Sequence, residues 1–120
     1  MPKMLEEQIR EAAKELDIPE KHVTDLTKHA SDLLRDVAKM KKLSPAELIA
    51  ARGHVFQAVI GNFAHGTVGK GFDERLENRL KRFNKNMAGF HLNEAKLRGT
   101  AEKYFRKVHA VGLSVYASRQ

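Results

Sequence analysis

Apolar residues recur along this chain at steps of three and four, the period that places side chains on one face of an α-helix. Leu5, Ile9, Ala12 and Leu16 trace a first such face and predict a helix over about residues 3–16. Val23, Leu26, Ala30, Leu33, Val37 and Met40 step 3-4-3-4-3 and predict a second helix over about 19–42. That rhythm is a coiled-coil-like seam, of the kind found inside bundles or between subunits. Leu48, Ile49, Val55, Phe56, Val59, Ile60 and Phe63 cover more than one face of a third helix over about 45–65, which predicts the central and most buried element. Phe72, Leu76, Leu80, Phe83 and Met87 form the inner face of a fourth helix starting near Asp73. A fifth, from about Asn93 to Ala117, carries Leu97, Ala101, Tyr104, Val108, Val111 and Val115 in a second seam, widened by Phe105, Gly112 and Tyr116. No strand-like alternation competes with these patterns.

The punctuation agrees with five helices. Ser44-Pro45-Ala46-Glu47 offers a serine N-cap, proline at the first helical position and glutamate at the third, and Asp17-Ile18-Pro19-Glu20 offers a similar arrangement with aspartate as the cap. Three glycines between Gly66 and Gly71 end the third helix in a turn, and Gly89 is the expected stop of the fourth. Acidic Asp73, Glu74 and Glu77 open the fourth helix while Arg82 and Lys85 lie toward its end, in accord with the helix dipole. Short connections favour antiparallel neighbours. The expected fold is all-α, a four- to five-helix antiparallel bundle, with residues 1–120 forming one domain.

Composition narrows the function. With no cysteine, the chain has no disulfide framework, thiolate metal site or thiol chemistry. At 42% hydrophobic and 31% charged residues it falls in the globular range and not the disordered one. The apolar-rich stretch from Val55 to Ala64 is interrupted by Gln57 and Asn62 and is too short for a bilayer span. The charged N-terminal stretch lacks signal-peptide character, so the expected location is cytoplasmic, with export by a non-classical route left open.

The net charge of +7 is unevenly placed. Residues 1–43 hold nine basic and nine acidic side chains, whereas residues 44–120 hold thirteen basic and six acidic. Arg75, Arg79, Arg82 and Asn86 align on the fourth helix, and Lys96, Lys103 and Lys107 share a face of the fifth, with Arg98 and Arg106 on another. Were those helices antiparallel neighbours, their basic faces would merge into a patch attractive to phosphate backbones or acidic protein surfaces. The residues expected to make partner contacts are therefore Arg75, Arg79, Arg82, Lys85, Lys96, Arg98, Lys103 and Lys107. A solvated surface that serves only solubility is the competing reading. Phe90, in the turn between these helices, is the candidate for stacking on a base.

Evidence for chemistry is thinner. No serine sits in a strand-to-helix elbow, and most carboxylates are spaced to pair with lysine or arginine, which argues against an enzyme. His54, Gln57, Gly61 and His65 form a polar stripe on the otherwise apolar third helix. That stripe either faces solvent or lines a cleft able to hold an anion, a metal, a small ligand or haem with help from another helix. Lys70 and the glycine turn precede the fourth helix, where an anion could settle. No metal site and no cofactor are expected, because no histidine pair stands four apart on a helix.

The segments Met87-Ala88-Gly89-Phe90, Arg98, Ala101-Glu102 and Val115-Tyr116-Ala117 resemble the end of the BID domain over about the last quarter of the chain. The resemblance implies a basic helical bundle acting as a type IV secretion signal or protein-docking module, and no residue role follows from it. The primary expectation is a non-enzymatic interaction module whose basic surface engages an acidic partner, protein or nucleic acid. A homodimeric assembly protein using the two seams is the rival.

Overall fold

The computed structural model describes residues 4–120. They form five helices: α1 (Leu5–Glu15), α2 (Glu20–Met40), α3 (Pro45–Gly66), α4 (Phe72–Asn86) and α5 (Glu94–Ser118), with a single 3₁₀ turn, Ala88–Phe90, between the last two. The Cα positions span 43 × 35 × 17 Å. At about 10 Å between packed helix axes, the thinnest dimension is two helices deep.

Successive helices run antiparallel, and the contacts give their register. Arg98 of α5 pairs with Glu77, Arg106 lies 3.8 Å from Asp73, and Asn84 donates to the carbonyl of Glu94, so α4 and α5 meet in reverse order. Asn62 of α3 meets Arg79 of α4, and Arg10 of α1 meets Glu20 at the start of α2. The alternation makes α3 and α5 parallel to each other. They cross in direct contact where Gly66 faces Gly112: a Cβ added at Gly112 would lie 2.8 Å from the Cα of Gly66 and would overlap the carbonyl oxygen of Phe63. Glycine at both positions lets the two backbones touch there.

The two seams become core. Val23, Leu26, Ala30, Leu33 and Val37 of α2 and Leu97, Ala101, Tyr104, Val108, Val111 and Val115 of α5 are all buried inside the one chain. Burying such side chains contributes about 1.5–3 kcal/mol each for the larger aliphatics. Tyr104 keeps its polar end satisfied by donating to Asp36 of α2 at 2.6 Å.

Several sequence expectations need correction. Helix α5, with nine buried residues, is more deeply buried than α3. Leu48 and Ile49 of α3 are 37% and 44% exposed, and Leu48 lines an open groove with Leu5 of α1 and Leu34 of α2 that is not packed shut. In α1 the inward face is Leu5, Ile9 and Ala13, while Leu16 falls beyond the last helical turn and is exposed. Asp17 does not cap α2. It adopts a left-handed conformation (φ 55°) and closes α1: its N–H bonds the carbonyl of Lys14 while that of Ile18 bonds Ala13, the paired bonds of a Schellman motif. Glu20, freed from a capping role, pairs with Arg10. Likewise the left-handed residue after α4 is His91 (φ 56°) and not Gly89. The cap at Ser44, with its reciprocal Glu47, forms as expected, and α5 starts at an Asn93 cap whose side chain accepts from the Lys96 N–H.

Candidate functional site

Helix α3 presents the polar stripe, helix α4 the arginine stripe, and the fold sets them face to face. His54, Gln57, Gly61 and Asn62 from α3 and Arg79, Arg82 and Asn86 from α4 line a cleft of about 320 Å³. Ala58, Phe83 and Phe105 supply its apolar surface. His54 packs its ring edge-on against Phe90, with 6.3 Å between centroids. Phe90 is itself buried, held in a turn whose carbonyl accepts from Lys41, so it is no exposed stacking platform.

Asn62 organises the cleft. It is the most buried polar side chain among the described residues, at 1% exposure. Its Nδ2 donates to the carbonyl of Ala58 one turn back at 2.8 Å, which turns Oδ1 outward to accept from Nη1 of Arg79 at 3.3 Å. A buried amide costs stability unless it is paired. Here the pairing anchors one edge of a guanidinium and leaves its other donors unused. Arg79 is half-buried, and its pKa is lowered first by that burial and then by Arg75 and Arg82. A guanidinium stays protonated under ordinary conditions, so the lowering expresses an uncompensated cation. Among the described residues no carboxylate lines the cleft.

The eight anticipated partner-contact residues do not share one face. Arg75, Arg79 and Arg82 edge the α3–α4 side. Arg98 lies on the α4–α5 seam, where it bridges Glu77 and Glu102, and neighbouring Arg106 joins Glu102 and sits over the Phe72 ring. Lys103 and Lys107 lie beyond that seam, each with its ammonium about 5 Å above the Tyr104 ring, the separations being 5.2 and 5.3 Å. Lys107 also lines a groove with Lys21, His22, Asp25 and His29 of α2. Lys85 and Lys96 are exposed at the end of α4 and the start of α5. Arg98 is the one member of the eight in an ion pair among the described residues. The mixed-charge seam thus separates an arginine edge from a lysine edge.

His65 leaves the stripe. Its ring lies 6.2 Å from that of His109, which stacks on Phe72 at 4.2 Å. Both imidazoles have lowered pKa values, chiefly from burial. Arg79 and Arg75 add to the effect at His65, and His65 and Arg79 at His109. Nδ1 of His65 and Nε2 of His109 are buried without a hydrogen-bond partner in the protein. Among the described residues no three histidine or carboxylate side chains gather as a metal-binding set. Lys70 is exposed in the turn before α4, between left-handed Gly69 and Gly71, and Gly71 packs against His65.

Comparisons with family models, curated proteins and solved structures find no match. Among the described residues no helix is long and apolar enough to cross a membrane.

The residue that sequence reasoning undervalued is Asn62. Its signal was present, as one of the two amides, with Gln57, that interrupt an apolar run of α3. One sequence cannot say whether such an amide faces water or the interior.

Proposed function

We propose that this protein is a non-enzymatic, cytoplasmic interaction module that docks an acidic partner, nucleic acid or protein, on the arginine edge of α4. The observation that carries the reading is that Arg75, Arg79 and Arg82 stand together with no carboxylate among the described residues paired to them, while their acidic neighbours on the α4–α5 seam are engaged by Arg98 and Arg106. Like charges held together raise the local potential. An acidic partner relieves that repulsion and releases counterions.

Because the basic residues divide into two edges, two charge reversals test the reading. Binding of a single-stranded oligonucleotide and of an acidic polypeptide is measured across a salt series. Arg75→Glu with Arg82→Glu should abolish binding to the preferred partner, and Lys103→Glu with Lys107→Glu should leave most of it. Binding that survives the α4 reversal refutes the proposal.

A further inference from the structure

We propose that the α3–α4 cleft is a specific site for a phosphomonoester on a nucleotide-sized body. This deepens the docking reading and rests on it in sharing Arg79 and Arg82, but it adds a defined ligand. Three features select that chemistry.

The first is charge. Two adjacent guanidiniums line the cleft, and among the described residues no carboxylate lines it with them. A single carboxylate neutralises one of them, whereas a phosphomonoester carries close to two negative charges at neutral pH. Planar guanidinium forks also match phosphate oxygens in geometry.

The second is preorganisation. Asn62, fixed by the carbonyl of Ala58, holds Nη1 of Arg79, so part of the side-chain freedom is given up before binding. A buried amide with this one tertiary partner has no evident packing role; apolar side chains occupy the neighbouring inward positions Val55, Val59 and Phe63.

The third is the remainder of the cleft. At about 320 Å³ it lies near the lower end of small-ligand sites, which start at roughly 300 Å³, and it is larger than phosphate alone requires. Beyond the arginines it offers His54, Gln57 and Asn86. These side chains both donate and accept, as the sugar hydroxyls and base edges of a nucleotide do. Phe83 and Phe105 provide apolar wall beneath them.

The ligand chemistry has two sources: a free mononucleotide, or the 5′-terminal phosphate of a nucleic-acid strand. Calorimetric titration of the full chain with the four ribonucleoside monophosphates, with inorganic phosphate, and with short oligonucleotides bearing a 5′-phosphate or a 5′-hydroxyl separates them. Saturable one-to-one binding of at least one monophosphate, tighter than inorganic phosphate, supports a free ligand. A 5′-phosphate preference among oligonucleotides without mononucleotide binding supports a strand end. Arg79→Gln should weaken that binding about tenfold or more, the usual scale for losing a hydrogen bond to a charged group. Because Arg79→Gln also strips Asn62 of its partner, Arg82→Gln, at an exposed side chain, is the second variant and should show a comparable loss with unchanged unfolding. Absence of monophosphate binding and of a 5′-phosphate preference overturns the cleft assignment, as does inorganic phosphate binding as tightly as every nucleotide. If 5′-hydroxyl oligonucleotides still bind in a salt-dependent, α4-dependent way, the docking reading survives that failure. If monophosphates bind while every polyanion ignores the α4 reversal, the docking reading fails alone.

Discussion

The contact of α3 with α5 makes a sharp prediction about two glycines in one helix. At Gly112 an added methyl group would overlap the Phe63 carbonyl oxygen and stand 2.8 Å from the Cα of Gly66, both backbone atoms that cannot rotate aside. At Gly99, also within α5, an added methyl group meets nothing within 4 Å. Alanine is better than glycine in a helix interior by about 0.8–1 kcal/mol, so that gain is common to both substitutions. Overpacking a tight contact costs about 1–3 kcal/mol and occasionally more, and a backbone-to-backbone clash belongs at the upper end. Gly112→Ala should therefore lose about 2 kcal/mol net, while Gly99→Ala should gain up to about 1 kcal/mol. For a chain of this length, each kcal/mol moves the melting temperature by roughly 4 °C, so the two variants should separate by about 12 °C. Urea unfolding followed by helical circular dichroism reads both, and at an unchanged slope a shift in the midpoint is a change in stability. Equal midpoints for Gly112→Ala and the parent would show that the helices do not touch at Gly66–Gly112, and the proposed α3–α5 packing would be wrong.

Other predictions test separate parts of the structure. His65 and His109 have lowered pKa values, so below the unfolded value of about 6.5 the unfolded chain binds more protons than the folded one. Their contribution is fully present above that value and is lost progressively as pH falls from it toward the lowered folded values, so the urea midpoint should drop on acidification below about pH 6.5, and His109→Gln should flatten the drop. The charges facing the pair are Arg75, Arg79, Asp73 and Glu74; a midpoint with no pH dependence in this range refutes the neutral pair. Asp17 sits in a left-handed conformation, so Asp17→Gly should stabilise by about 0.5 kcal/mol, whereas a capping aspartate would lose stability on the same change; a urea midpoint decides. Burial, followed by the hydrogen bond to Asp36, raises the Tyr104 pKa to about 12. Its stabilising effect is complete below the unfolded value of about 10 and is lost as pH rises toward the folded one. In a spectrophotometric titration Asp36→Asn should lower the pKa of this tyrosine, and an unmoved transition would contradict the hydrogen bond.

Much of the architecture was legible before any coordinates. The number and approximate extents of the helices follow from three- and four-residue apolar steps, and the α2 and α5 seams are buried at the positions they marked except the partly buried Met40 and the exposed Tyr116. The local cap at Ser44 was readable too, because a side chain and a backbone N–H three residues later meet whatever the tertiary fold, as they also do at Asn93. The errors at Asp17 and Gly89 came where two neighbouring helices compete for the same linker residues. Which helix claims such a residue depends on where both are anchored.

The cleft could be read only in halves. His54, Gln57 and Gly61 formed one stripe in the sequence, Arg75, Arg79, Arg82 and Asn86 another, and their periodicity gave the faces but not the facing. A helical repeat specifies directions around one axis and contains nothing about the rotation of a neighbouring axis. That rotation is set by packing: α4 turns its Phe72, Leu76, Leu80 and Phe83 face into the core, and the arginine stripe beside that face is thereby carried to the edge of α3. The same constraint places Lys103 and Lys107 across the mixed-charge seam, dividing a charge excess that the linear order presented as one block. Local chemistry was therefore determined residue by residue along the chain. The assembly of those residues into one arginine-lined cleft was decided by the burial of apolar faces elsewhere.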